Sequence, residues 1–274
     1  MTNLELILLK ITIGLYLVSS LWLAGGFIFN REKLRKFFAL PVLIALAAHT
    51  AVIIVRWSAT GHGPVMKDYE NALLGAWLTV ALYLLLVFKW REMAVIGIVI
   101  APLAMLLLGY AFMTEPVLER LSPGYKSFWL YVHVFTAWLA FGAYAIASGF
   151  AVAFFMRGHY DKKSVQTKIP ELSELDLTAF RIVLFGFILH AIMIAAGSIW
   201  AAKLWGSYWS WDPIETWSLI SWLCYGIIIH LRLAFAWKNQ RFAVMIMLAL
   251  VTVIIAWLGI NWIPSSDHVF SKLE

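Results

Sequence analysis

The sequence predicts an all-α, polytopic membrane helix bundle, and three observations carry that reading. Apolar residues make up 63% of the 274-residue chain and charged residues 13%, far from the composition of a soluble globular domain. Apolar runs long enough to cross a bilayer recur eight times with short polar breaks between them. Basic residues gather in alternate breaks, which the positive-inside rule reads as a fixed orientation.

The first run opens Met1-Thr2-Asn3-Leu4-Glu5 and stays apolar to Phe29, with no basic leader and no small-residue cleavage site, so it is expected to be a retained helix. Lys10 inside that run belongs against other helices or solvated headgroups rather than lipid tails. The eight spans are expected at about 5 to 28, 37 to 56, 70 to 88, 92 to 112, 128 to 156, 178 to 201, 215 to 234 and 241 to 262. Arg31, Lys33, Arg35 and Lys36 follow the first span, Lys89 and Arg91 the third, Arg157, Lys162, Lys163 and Lys168 the fifth, and Lys238 and Arg241 the seventh. The odd-numbered connections are therefore expected in the cytoplasm, and both termini and the even-numbered connections on the outer side. The long polar stretch 157–175 reads as a mobile inner loop.

The chain is expected to form a single integral membrane domain over 1–274, with an external tryptophan-rich segment at 202–217. Its formal charge of +6 is accounted for by cytoplasmic loops and gives no reason to expect a nucleic-acid partner; the bilayer is its surroundings. The single cysteine, Cys224, lies in an apolar run, which excludes an internal disulfide or a CxxC redox pair and leaves thiol chemistry to partners.

The unusual chemistry falls on the outer connections. Trp205, Tyr208, Trp209 and Trp211 crowd into seven residues, followed by Asp212-Pro213 and Glu215-Thr216-Trp217. An interfacial belt explains one or two such aromatics. The rest, closed by an Asp-Pro pair that reads as a helix N-cap with proline at the first helical position, make a flat aromatic shelf suited to a large planar apolar ligand.

The run Trp205-Gly206-Ser207-Tyr208-Trp209-Ser210-Trp211-Asp212 resembles the tryptophan-rich signature of the haem-handling protein superfamily. Within it, the chain resembles over essentially its whole length the CcsA (ResC) family of System II cytochrome c biogenesis. The resemblance implies haem b (iron protoporphyrin IX) as a transported substrate, bound by Trp205, Gly206, Tyr208, Trp209, Trp211 and Asp212. It implies two external axial histidines, matched here by His133 in Trp129-Leu130-Tyr131-Val132-His133 and His268 in Ser266-Asp267-His268, which together would close the iron to oxygen. It also implies an intramembrane iron ligand, matched by His230, whose second ligand comes from a CcsB (ResB) partner. Apocytochrome c and thiol-reducing proteins are the other implied partners. The place of action would be the outer face of a bacterial cytoplasmic membrane, as a component of a holocytochrome c synthase rather than a conventional enzyme.

His49 and His190, inside apolar runs, read as satisfied interior groups, and at His190 the chain departs from the family, which is usually apolar there. Arg56, Lys67, Arg120, Lys126 and Lys203 are available near the outer side for haem propionates, without a basis for choosing among them. Glu70, in Pro64-Val65-Met66-Lys67-Asp68-Tyr69-Glu70, is taken as structural. Two rival readings stay open. A CcmC-type protein delivering haem to a chaperone would have fewer spans and no equivalent of His230. A b-type electron-transfer subunit would place its histidines in pairs inside facing helices.

Overall fold

The computed structural model describes residues 1–114, 116–118, 123–164 and 167–259. Nine α-helices run through them: α1 (Asn3–Ile28), α2 (Glu32–Lys36), α3 (Ala39–Thr60), α4 (Asp68–Lys89), α5 (Gly97–Met113), α6 (Phe128–Lys162), α7 (Leu172–Trp205), α8 (Pro213–Phe235) and α9 (Gln240–Ile254). A 3-10 turn, Arg91–Ile96, leads into α5, and α9 runs on as a π-turn over Ile255–Gly259. Among the described residues there is no strand. Eight helical segments are long and apolar enough to span a membrane, α2 being the short exception. In lipid every backbone N–H and C=O needs a partner within the protein, and a helix supplies it locally.

The predicted spans recur with shifted ends. The largest shift is at α6 and α7, which extend to 35 and 34 residues and absorb most of the stretch read as a loop over 157–175. Arg157 explains part of this: its side chain bonds Asp161 one turn on, at 2.8 Å, and the carbonyl of Ile169 at 2.6 Å. The aromatic connection is shorter than expected, because α7 continues to Trp205 and α8 starts at Pro213.

The chain packs as two compact units. The first comprises Met1–Leu121 and Val152–Leu175, the second Ser122–Ala151 and Asp176–Glu274. In the first, α1 packs on α3 and α5, and α4 on α3 and α5. The Tyr160 hydroxyl donates to the carbonyl of Phe27 at the end of α1. Lys10 lies with its ammonium 5.9 Å from the centre of the Phe112 ring, using an aromatic face within the span.

One end of this unit holds a buried charge cluster. Arg56, 1% exposed, donates from Nε to Glu70 at 2.8 Å and from Nη2 to the carbonyl of Val117 at 2.6 Å, with Glu5 3.8 Å from Nη1. Glu70 also accepts the Met66 N–H at 3.0 Å, and Glu5 closes a capping box with Thr2. Glu70 is thus a structural carboxylate, as its position led us to expect. Arg56 is committed to this cluster and is removed from the candidate propionate donors.

In the second unit, small residues let helices meet closely. Gly186 of α7 faces Tyr144 of α6, where a Cβ would come within 2.7 Å of the ring, and Tyr144 stacks on Tyr225 of α8 at 3.5 Å between centroids. At the opposite end of α8 from Pro213, Asp176 accepts from Nη1 and Nη2 of Arg232, at 2.9 and 2.6 Å, and from the N–H of Asn239 at 2.8 Å. The guanidinium lies between Phe180 and Phe242, 4.5 and 4.3 Å from their centroids. The pair clamps the α8–α9 turn, whose Ala236 and Asn239 hold left-handed backbone angles.

Removing one member of a buried pair leaves the other as an uncompensated charge, a loss of about 3–5 kcal/mol. Asp176→Ala should therefore lower the thermal unfolding midpoint in detergent markedly, whereas the double change Asp176→Leu with Arg232→Met should recover most of the loss.

Candidate functional site

The second unit brings together His133, one of the two histidines expected as axial ligands, and the aromatic connection. His133 sits in the second turn of α6, half-buried against α7. Its Nδ1 lies 2.9 Å from the carbonyl of Met193. A carbonyl can only accept, so Nδ1 carries the proton and the lone pair is on Nε2, the tautomer in which a histidine can bind a metal through Nε2. The ring lies nearly parallel to Trp200, at 26° with centroids 6.5 Å apart.

Trp200 organises this end of α7. Its indole N–H donates to the carbonyl of Gly124 at 3.1 Å, and its ring packs on Tyr125 and Trp205, with centroids 6.1 and 5.4 Å away. The turn Pro123–Tyr125 that leads into α6 is thereby tied to the helix against which His133 rests.

From Trp205 the chain leaves α7 through Gly206, whose φ of 77° favours a residue without a Cβ. Ser207 closes a small loop by donating to the carbonyl of Trp209 at 3.0 Å. Trp211 holds φ at 59°, an angle costly for a bulky side chain, and the next helix justifies that cost. Asp212 caps α8, accepting the Ile214 N–H at 2.8 Å, and Glu215 reaches back to the N–H groups of Ser210 at 2.8 Å and Asp212 at 3.3 Å. The expected Asp-Pro start of α8 is present as a full capping box. Tyr208 and Trp211 stand 66% and 69% exposed, an aromatic surface that a soluble protein would bury.

Between His133 and this connection lies a cleft of about 50 Å³. His133, Gly197, Trp200, Trp209, Glu215 and Ser218 are among its lining residues. Trp209 contributes a buried indole N–H that has no hydrogen-bond acceptor. Among the described residues no group of three or more His, Cys, Asp or Glu side chains converges on one point.

The other predicted residues are placed separately. His268 lies outside the described residues, as does Arg120. His230 is exposed on α8, on the face opposite the buried Ser221, Tyr225, Ile228 and Arg232, with Phe235 as its ring neighbour at 5.9 Å. His49 is buried in the first unit with Nδ1 3.3 Å from the Tyr16 hydroxyl, and His190 in the second with Nδ1 3.4 Å from that of Tyr144. Both are hydrogen-bonded interior groups. Lys126 and Lys203 are exposed. Sequence reasoning missed the Met193 carbonyl, Gly197 and Trp200, because a main-chain acceptor and an apolar helix face leave no signature in composition.

The described residues form a polytopic helical membrane bundle in which a capped, tryptophan-rich connection lies beside His133. Residues 65–268 match the family described as cytochrome C assembly protein, and the chain belongs to that family. It is 31% identical to the cytochrome c biogenesis protein CcsA of Chlamydomonas reinhardtii over 80% of this chain and 64% of that protein, so the chain spans somewhat under two thirds of that relative. It is 27% identical to CcsA of Trieres chinensis over 95% and 94% of the two chains, and 28% identical to that of Synechococcus sp. (strain CC9311) over 94% and 96%. A solved structure, the cytochrome c haem lyase CcmF, shares the fold with a TM-score of 0.70 at 18% identity, over 94% of this chain and 47% of the longer CcmF chain.

Replacing an N-cap aspartate by alanine costs about 1 kcal/mol. In Asp212→Ala, amide hydrogen exchange at Ile214, Glu215 and Thr216 should speed up, while Asp212→Asn should keep most of the protection.

Proposed function

We propose that this chain holds haem b at the outer membrane face and supports its covalent attachment to apocytochrome c. The observation that carries this reading is the His133 tautomer: a ring fixed by its Nδ1 proton, with Nε2 as the metal-binding atom, beside the exposed aromatic connection. The cleft is far smaller than a porphyrin, so the macrocycle lies across its mouth against Trp209, Trp211 and Tyr208, with Trp205, Gly206 and Asp212 fixing the connection's shape. The indole N–H of Trp209 is a donor in want of an acceptor there. His268 supplies the second axial ligand, and Lys126 and Lys203, both exposed on this unit, are the candidate cations for the propionates.

Haem reaches this site from the inner side by way of His230. That residue's exposure on α8 leaves its far side to a CcsB-type membrane partner, which provides the opposite ligand. At the outer site each thiol of an apocytochrome CxxCH segment adds across a vinyl group. A carbon–sulfur bond forms, the vinyl π bond is lost, and the thiol hydrogen ends on the other vinyl carbon. The step is redox-neutral, so thiol-reducing proteins of the pathway are needed only to keep the cysteines reduced. The vinyl groups supply the reactivity and the protein supplies position. For the additions to proceed, the histidine of CxxCH must displace one of the two axial histidines. The membrane is the bacterial cytoplasmic membrane, with both termini and the aromatic connection outside.

His133→Gly and His268→Gly, purified with the partner, should each lose the six-coordinate low-spin haem spectrum and cytochrome maturation, and added imidazole should restore both. Wild-type spectra and maturation in both variants would exclude these ligands.

A further inference from the structure

Gly197 lies on α7 one turn after Met193, and these two positions meet the His133 ring in different ways. In an α-helix the Met193 carbonyl points at the N–H of residue 197, so it is already engaged along the helix axis. It nevertheless accepts a second hydrogen bond, from His133 Nδ1 at 2.9 Å. That approach is open only because residue 197 has no side chain. A Cβ there would stand 2.5 Å from His133 Nδ1 and 2.8 Å from Cε1, inside any real contact distance. Since α6 and α7 are both long helices, the ring and not the backbone would have to give way. Trp200, three residues on, lies nearly parallel to the same ring with its centroid 6.5 Å away, so Gly197 and Trp200 both border the space that the imidazole occupies.

We propose that Gly197 is a positioning residue for the haem site: it admits His133 to the Met193 carbonyl, and this contact sets which nitrogen meets iron and how strongly. The proposal rests on His133 being an axial ligand. A neutral main-chain carbonyl behind the ring, in place of a carboxylate, leaves the imidazole a weaker donor. A ligand that must yield to the substrate's histidine has to be held in orientation without being bound too firmly. The carbonyl meets both requirements, and glycine is the residue that exposes it.

The test is Gly197→Ala in the full chain purified with its membrane partner, beside wild type, His133→Gly and Gly226→Ala. Alanine is the better helix former, so a loss of function in Gly197→Ala cannot be assigned to a weakened α7. Gly226 lies on α8, where an added Cβ meets only Phe187 at an ordinary 3.4 Å, and is the control. The expected result is conversion of haem in Gly197→Ala to a five-coordinate or mixed-spin form, or a shifted reduction potential, with recovery of the low-spin spectrum on adding imidazole and no change in Gly226→Ala. A wild-type spectrum and potential in Gly197→Ala, with His133→Gly defective, overturns the positioning role while leaving the ligand in place. A wild-type spectrum in His133→Gly removes the ligand itself, and the positioning role falls with it.

Discussion

Lipid offers no hydrogen bonds, and this requirement governs where the protein can keep its chemistry. Each span satisfies its own backbone, so irregular main chain is confined to helix ends. The Trp205-to-Pro213 connection is such an end. Its two positive φ angles, at Gly206 and Trp211, are held by contacts of neighbouring residues: Ser207 on Trp209, and Glu215 on Ser210 and Asp212. The same logic places charges. Arg56 is buried with Glu70 hydrogen-bonded to it and Glu5 3.8 Å away, and Arg232 with Asp176, because an isolated charge there is too costly.

The site uses the rigidity of long helices as its alignment device. His133 is oriented by a carbonyl of α7 and a tryptophan of α7, and the turn that delivers α6 is tied to the same tryptophan through Gly124. A histidine held this way needs no carboxylate behind it. In the proposed function, a ring held by a carbonyl alone suits a ligand that hands cargo on.

Much of this was legible beforehand. Spanning length and apolar composition gave the helices, since a bilayer leaves few alternatives, and Asp212-Pro213 with Glu215 announced the start of α8. The ends of α6 and α7 were not legible: Arg157 continues its helix by bonding Asp161 and Ile169 across a stretch whose polarity alone reads as loop. Nor was the fate of Arg56, which looked available for an anion until its three-sided cluster was seen. The aromatic residues of the site were visible from their density. The groups that orient His133 were not, because a main-chain carbonyl has no letter in the sequence and a helical glycine has many ordinary uses.

In the proposed function, haem sits against the aromatic connection with its iron on Nε2 of His133. A cryo-electron-microscopy structure of the haem-loaded complex with its membrane partner would test it most directly. The expected result is macrocycle density across Trp209 and Trp211, with the Nδ1 contact to Met193 intact and iron bonded to Nε2. Iron on Nδ1, or a haem ligated by His49 or His190 with His133 uncoordinated, would contradict it.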